Sequence, residues 1–312
     1  MALKINSSKP GLLAALSQEL QELIKTALPS TVTIKGYSND LADDSQGSGW
    51  IYDSDIVVTN NHVIEGMQDP LTVHPVGRAS LQGVVIGRDP DNDIAVLKVD
   101  QLNGLPLVIE DQPPSLGEFC VAIGSPLAYR ESASFGIVSG LSRQIRNSNG
   151  TVIEEMIQTD APVNHGNSGG PLINMAGNLI GMNTMGPRET VNMAVPAETL
   201  AAIVPELIKH GSVQRASLGI SIALKHSDAD DVTSSAICVR KIRNPDTSSL
   251  KEGDLLRSIN GRSVHRRIDV IRALNRDVIG QSVEIVVERD GQSLTLKSTA
   301  TAWAPAERQV IQ

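Results

Sequence analysis

The first part of the chain carries apolar residues at the spacing of an amphipathic helix. These positions are Leu12, Leu16, Leu20, Leu23, Ile24 and Ala27. Residues three and four apart share one helix face, so the pattern predicts a helix with a single apolar side. Ser8 is a suitable cap, Pro10 fits a first turn, and Pro29 ends the pattern. The apolar side either packs on its own domain or forms an oligomer contact.

Between Ser30 and about Val195, short β-type runs alternate with turn residues. Examples are Thr31 to Lys35, Ile56 to Thr59, Leu81 to Gly87, Ile94 to Lys98, Phe119 to Gly124 and Asn178 to Asn183. Glycine, asparagine and aspartate separate these runs, and closely spaced short strands are typical of a β-sandwich or barrel. We therefore expect a mainly β domain in this part of the chain.

A second helix is predicted from Pro196 to His210, with Gly211 as its stop. Its apolar face comprises Leu200, Ile203, Val204, Leu207 and Ile208. Pro205 lies inside this pattern and predicts either a kink or a late start.

A smaller unit of mixed structure follows the second helix. Strands are predicted over Ile237 to Ile242, Asp254 to Asn260, Ser282 to Glu288 and Ser293 to Lys297, and a helix over Arg267 to Arg276. The dipeptides Asn260-Gly261 and Asp290-Gly291 are typical of tight hairpin turns between strands. The pattern therefore predicts a compact α+β domain.

Composition narrows the class of protein. The chain has 312 residues, enough for two domains, with 40% hydrophobic and only 2% aromatic residues, so aliphatic side chains must fill the core. A formal net charge of −8 argues against nucleic acid or an anionic membrane as the main partner. No run approaches the roughly 18 apolar residues of a membrane span. The start of the chain lacks an export signal, which predicts a cytoplasmic protein as written, or a periplasmic or otherwise exported one if a signal was removed.

The two cysteines, Cys120 and Cys238, lie far apart and in different predicted domains. We therefore expect neither a disulfide framework nor a structural zinc site, and each cysteine is most simply a small buried hydrophobe. No metal or other cofactor is predicted.

The run Gly166-Asn167-Ser168-Gly169-Gly170-Pro171 is suited to presenting a serine to a substrate carbonyl. Glycines allow backbone angles that a Cβ would forbid, and such a turn can direct successive N–H groups at one point. A serine between glycines more often marks a simple turn, so the prediction depends on the other motifs. The segment Gly166, Asn167 and Ser168 is the predicted oxyanion hole, with the Gly166 and Ser168 amides as donors.

Two upstream motifs supply the partners that a nucleophilic serine needs. His62 follows Thr59-Asn60-Asn61, and an imidazole can accept the hydroxyl proton of Ser168 and return it to the leaving amine. Asp93 directly precedes an apolar run, which favours it over Asp89 and Asp91 as the carboxylate that orients the imidazole. The order His, Asp, Ser is that of chymotrypsin-like enzymes.

Together the motifs resemble the HtrA/Deg family of serine proteases over about residues 30 to 300. The resemblance rests on Gly47-Ser48-Gly49, Thr59 to Val63, Asp93 to Val99, Ile157 to Ala161, Gly166 to Leu172, His210 to Arg215, Leu218 to Ile220, Leu250 to Leu256 and Ile259 to Gly261. It implies a chymotrypsin-like double β-barrel followed by a small α+β PDZ domain. The expected boundaries are a helical segment at 1–29, a protease domain at 30–212, a PDZ domain at 213–303 and a tail at 304–312.

The resemblance also implies a substrate pocket beside the serine. Its predicted residues are Pro162, Val163, His165, Asn183, Thr184 and Met185. Pro162 stands six residues before Ser168, where enzymes that cut after Lys or Arg have Asp. We therefore expect a preference for small aliphatic side chains. His165 and the segment from Met185 to Pro196 depart from the family pattern, and His165 either faces solvent or lines the rim of the pocket.

In the second domain, the resemblance implies a loop that binds a peptide C-terminus. The predicted peptide-binding residues are Ser217, Leu218, Gly219, Ile220, Ile271 and Leu274. The peptide would add a strand beside Ile220 to Ala223. The alternative is a domain that packs against the protease without a ligand.

The function that follows is an endopeptidase acting on unfolded or damaged proteins in protein quality control, with its activity regulated through the PDZ domain. The alternative is a catalytically silent binding or holdase protein that keeps the protease fold. The resemblance also implies a homotrimer, although the scarcity of aromatic residues near the N-terminus weakens that expectation.

Overall fold

The computed structural model describes residues 11–37, 45–125, 131–146, 152–184, 186, 191–226, 235–244 and 249–303. The chain divides into two compact units, Met1–Ser212 and Val213–Gln312. The predicted caps Ser8 and Pro10, the pocket residue Met185 and the tail 304–312 lie outside the described residues.

Helix α1 spans Leu12–Ala27, and Pro29 lies in a short 3-10 turn directly after it. The second half of α1 packs on its own unit, because Leu20, Leu23 and Ile24 contact a buried cluster. That cluster comprises Ala27, Val121, Ile123 and Ile173. Leu12, at the start of the helix, is exposed.

Six antiparallel strands form a first closed barrel in the order β1-β2-β3-β6-β5-β4. They are β1 Thr31–Gly36, β2 Ser45–Asp53, β3 Ile56–Thr59, β4 Leu71–Pro75, β5 Leu81–Asp89 and β6 Ile94–Val99. Inward side chains alternate along β4, where Leu71, Val73 and Pro75 are buried. The barrel core is aliphatic, as the composition predicts.

A second closed barrel has the order β10-β11-β12-β9-β8-β7. Its strands are β7 Phe119–Gly124, β8 Ser132–Arg146, β9 Val152–Thr159, β10 Pro171–Asn174, β11 Leu179–Thr184 and β12 Asn192–Pro196. Cys120 lies in its core, and burial raises the pKa of this thiol. The two barrels confirm the mainly β prediction and its double-barrel architecture.

Helix α2 spans Ala197–His210 and ends at Gly211, whose φ of 73° is left-handed. Pro205 lies inside the helix, so the alternative that the helix starts only at this proline was wrong. Leu207 packs against Gly87 of β5, where an added Cβ would lie 2.7 Å from the Leu207 carbonyl oxygen. Ile208, placed on the apolar face by its spacing, is 38% exposed, whereas Leu207 beside it is fully buried.

The second unit has a sheet with strand order β14-β15-β16-β18-β19 and β17 paired to β16. Its elements are β13 Ala216–Ser217, β14 Ile220–His226, β15 Ser235–Ile242, β16 Leu255–Ile259, β17 Arg262–Ser263, α3 Arg267–Ala273, β18 Ser282–Arg289, β19 Gln292–Thr299 and β20 Thr301–Ala302. Asn260-Gly261 and Asp290-Gly291 have positive φ at both positions, which is the type I′ geometry of two-residue hairpins. The mixed α+β prediction is confirmed. In the described residues, no helix is long and apolar enough to cross a membrane.

Candidate active site

His62 and Asp93 meet at one end of the first barrel. His62 follows β3, and Asp93 lies in the turn between β5 and β6 with a left-handed φ of 56°. The Nδ1 atom of His62 lies 2.7 Å from Oδ2 of Asp93, and the His62 backbone N–H donates to Oδ1 at 2.9 Å. A carboxylate in contact with Nδ1 fixes the imidazole so that Nε2 is left to act as a base.

Asp93 is held by further hydrogen bonds in a buried position. Its residue exposure is 1%, and the hydroxyl of Thr184 donates to Oδ2 at 3.2 Å. The Asn60 side chain donates to the Asp93 carbonyl at 3.0 Å. A buried carboxylate needs such donors, because an unpaired charge in the interior is costly. Asp89, an alternative that the sequence leaves open, instead accepts a hydrogen bond from Asn92.

Ser168 lies in the second of two successive β-turns, which share Asn167. The Asn167 N–H donates to the Asn164 carbonyl at 3.0 Å, and the Gly170 N–H donates to the Asn167 carbonyl at 3.0 Å. The third position of each turn is a glycine with positive φ, 98° at Gly166 and 85° at Gly169. The second positions do not have positive φ, so both turns are type II, which favours glycine at the third position. The glycine spacing of the motif is therefore explained by turn geometry.

The turns leave two amides without an acceptor in the described part of the chain. Neither the Gly166 nor the Ser168 N–H donates to any described residue, whereas the Asn167 N–H is used within the first turn. The Ser168 hydroxyl is buried and, among the described residues, has no hydrogen-bond partner, the His62 imidazole included. The structure therefore joins His62 to Asp93 but not to Ser168.

Ser48 lies in the Gly47-Ser48-Gly49 motif, and the sequence alone assigns it no role. It is fully buried, and its hydroxyl donates to the Gly166 carbonyl at 2.6 Å. Its backbone N–H donates to the Ser168 carbonyl at 2.9 Å. No periodicity or spacing signals this contact, because the partners lie 118 positions apart for the hydroxyl bond.

The predicted pocket residues have different environments. Pro162 and His165 are exposed, while Val163 is buried in the core of the second barrel. Asn183 is fully buried, and its side chain donates to the Pro171 carbonyl at 2.9 Å. Thr184 is buried and contacts Asp93, so its hydroxyl is directed at the carboxylate.

In the second unit, the predicted peptide loop is held by its own hydrogen bonds. The Gly219 N–H donates to the Ser217 hydroxyl at 3.0 Å, and Gly219 has a left-handed φ of 67°. Leu218 and Leu274 are buried in the core of this unit. Ile220 packs against that core, and Ile271 is half-buried on α3.

The fold and the site together define a class of protein. Two six-stranded barrels, a His–Asp pair on one and a glycine-bounded serine on the other are the arrangement of trypsin-like serine peptidases. Residues 47–182 match the family description "Trypsin-like peptidase domain", and residues 216–299 match "PDZ domain". Within the described residues, no cluster of three or more potential metal ligands is present.

The chain is similar to proteases of one family. It is 38% identical to "Protease Do-like 5, chloroplastic" of Arabidopsis thaliana, over 62% of this chain and 70% of that protein. It is 31% identical to a "Probable periplasmic serine endoprotease DegP-like" of Pseudomonas fluorescens, over 95% of this chain and 64% of that protein. The solved structure "HtrA-type protease AlgW with tripeptide" matches with a TM-score of 0.72 and 28% identity, covering 91% of this chain and 97% of that chain.

The chain therefore belongs to the HtrA/Deg family. It spans less than two thirds of the length of the Pseudomonas relative.

Proposed function

We propose that the chain is a serine endopeptidase. The observation that carries this proposal is the 2.7 Å contact between His62 Nδ1 and Asp93 Oδ2, in a barrel pair whose other half presents Ser168 on a double glycine turn. The names of the relatives, which include serine endoprotease, support the same activity.

In the proposed mechanism, the Ser168 oxygen attacks the peptide carbonyl carbon as His62 Nε2 takes the hydroxyl proton. The Asp93 carboxylate stabilises the resulting imidazolium and does not itself take the proton. The amides of Gly166 and Ser168, which have no acceptor among the described residues, receive the oxyanion. His62 then protonates the leaving amine, and water hydrolyses the acyl-enzyme by the same route.

The test compares wild type with Ser168→Ala on unfolded casein and with a fluorophosphonate probe. We expect casein cleavage and labelling of Ser168 in wild type, and neither in the variant. Cleavage that persists in Ser168→Ala would exclude Ser168 as the nucleophile. Labelling without cleavage would contradict an endopeptidase that accepts unfolded protein.

For substrate preference, we propose cleavage after small aliphatic residues. Pro162, rather than a carboxylate, occupies the position expected to select Lys or Arg. Mass-spectrometric mapping of casein fragments tests this, because predominant cleavage after Lys or Arg would contradict it.

We further propose that the second unit binds peptide C-termini. Strand β14 pairs only with β15 among the described strands, so its other edge is a template for an added strand. The similar AlgW protease was solved with a tripeptide, which supports a peptide role by similarity. Fluorescence anisotropy with the full chain should show tighter binding of a peptide with a free carboxylate than of its amidated form. Equal binding would exclude carboxylate recognition.

A role in protein quality control outside the cytoplasm is the biological proposal that fits the relatives. The cytoplasmic expectation finds no support among them, since their names place them in the periplasm or the chloroplast. Fractionation of the source cells with a specific antibody tests the compartment, and recovery in the cytoplasmic fraction would reject it.

One observation favours the silent binding protein as a second candidate. The Ser168 hydroxyl is buried, and no described residue hydrogen bonds to it. A protein held in this arrangement would suppress aggregation of unfolded substrate equally well as wild type and as Ser168→Ala, without cleavage or labelling. That result would replace the endopeptidase proposal.

A further inference from the structure

Ser48 connects the first barrel to the serine-bearing turn through both its hydroxyl and its backbone. The hydroxyl donates to the Gly166 carbonyl at 2.6 Å, and the backbone N–H donates to the Ser168 carbonyl at 2.9 Å. Its own carbonyl accepts a hydrogen bond from Thr59 at 2.7 Å. One buried residue of β2 therefore binds the carbonyls of both residues whose amides are the proposed oxyanion donors.

The direction of the Ser48 hydroxyl is set by a second contact. The Ser125 backbone N–H donates to the Ser48 oxygen at 2.9 Å. Ser125 is itself held, because its hydroxyl lies 2.6 Å from that of Thr33 and its carbonyl accepts from Gln46 at 3.0 Å. Since the Ser48 oxygen accepts from Ser125, its single hydrogen is left for the Gly166 carbonyl.

Gly124 and Gly170 pack closely against Ser48. An added Cβ at Gly124 would lie 2.9 Å from the Ser48 oxygen, and one at Gly170 would lie 3.2 Å from the Ser48 Cβ. Ser48 has no exposed surface. Removing the hydroxyl would leave the Ser125 amide and the Gly166 carbonyl unpaired in a buried place.

We propose that Ser48 is a positioning residue for catalysis: it fixes the Gly166 carbonyl, and with it the orientation of the turn that bears the oxyanion donors. The proposal rests on the proposed endopeptidase activity. A donor acts only when it is aimed at the developing charge, so a turn released from Ser48 loses transition-state stabilisation more than substrate binding.

The experiment compares Ser48→Ala and Ser48→Cys with the matched control Ser139→Ala. The Ser139 hydroxyl is also buried, but it has no partner among the described residues. We expect Ser48→Ala to lower kcat by about 10–100-fold with KM nearly unchanged, which is less than the roughly 100–1,000-fold loss when an oxyanion donor is removed outright. Ser48→Cys retains a weak donor and should fall between Ser48→Ala and wild type. A peptide boronate, which mimics the tetrahedral intermediate, should lose affinity in the same order.

A second measurement does not depend on activity. Hydrogen–deuterium exchange of the peptide covering 164–170 should be faster in Ser48→Ala than in Ser139→Ala, because the turn amides lose their support. If Ser48→Ala does not fold, Ser48→Cys decides by the same measurements.

The outcomes separate the two proposals. A wild type that neither cleaves casein nor reacts with fluorophosphonate rejects the endopeptidase, and the exchange data alone then judge whether Ser48 holds the turn. In an active wild type, unchanged kcat and unchanged exchange in the folded Ser48 variants overturn the positioning role. A rise confined to KM overturns it as well. So does a loss of kcat in Ser48→Ala that only equals the loss in Ser139→Ala.

Discussion

Replacement of Gly169 by alanine should destabilise the first unit for two separable reasons. The first is conformational, because Gly169 has a φ of 85°, where a residue with a Cβ costs about 1–2 kcal/mol. The second is steric. An added Cβ would lie 2.2 Å from the Ser48 carbonyl oxygen and 2.2 Å from the Thr59 hydroxyl. These two oxygens are hydrogen bonded to each other, so neither moves freely.

The magnitude follows from adding the two effects. Overpacking of a filled interior costs about 1–3 kcal/mol, so Gly169→Ala should lose about 2–5 kcal/mol of unfolding free energy in all. Gly117→Ala is the matched control in the same unit. Gly117 has a nearly equal φ of 87°, but nothing lies within 4 Å of its added Cβ, so it should lose only the conformational part.

The assay is denaturant unfolding followed by the fluorescence of Trp50, which is fully buried in the first unit. The chain has two tryptophans, so a Trp303→Phe background removes the signal of the second unit. Gly169→Ala should unfold at a clearly lower denaturant concentration than Gly117→Ala. Equal midpoints and equal slopes for the two variants would refute the steric reasoning.

Three further predictions concern single side chains. Thr184→Val removes the donor to Asp93 at nearly constant shape. It should lower kcat about tenfold with little change in KM, since a hydrogen bond to a charged group contributes about 1.5–3 kcal/mol. Steady-state kinetics that show an unaltered kcat would contradict this prediction. Arg289→Met leaves buried Asp254 without its ion-pair partner and should cost about 3–5 kcal/mol in the second unit. Burial raises the pKa of Asp254, but hydrogen bonds and charge from Arg289 and Lys251 outweigh it and lower that pKa overall. The stabilisation is therefore present above about pH 4 and is lost as pH falls through the lowered pKa, and Arg289→Met should show a smaller acid-dependent loss in thermal unfolding. Exposed His165 should tolerate alanine with a change in kcat/KM of less than about threefold, and a larger loss would assign it to the pocket rim.

Local patterns were sufficient for most elements of the fold. The helical period predicted α1 and α2, and the glycine pairs predicted the two type I′ hairpins, because these features depend on neighbouring residues. The placement of Ile208 was wrong because helical spacing gives an apolar side but not its width. How far that side is covered depends on the strands that pack against the helix, such as β5, β6 and β11, which are distant in the sequence.

The sequence predicts less of the candidate site than of the fold. Residue types and turn glycines identify His62, Asp93 and Ser168 as candidates, and their roles stay predictions. The hydroxyls of Ser48 and Thr184 carry no such signal, since their partners here are distant in sequence. The sequence places Thr184 in the pocket, whereas its hydroxyl contacts the carboxylate.

These two hydroxyls show how the pair of barrels holds the site together. Ser48 lies on β2 of the first barrel and binds the turn of the second, while Thr184 lies on β11 of the second barrel and binds Asp93 of the first. Each barrel therefore positions a group that belongs to the other. A displacement of one barrel against the other would strain the Gly166 carbonyl and the Asp93 carboxylate together, although the two groups are distant in the sequence. The serine-bearing turn and the His–Asp pair are thus expected to be ordered or disordered as one unit, because each is completed by a donor from the opposite barrel.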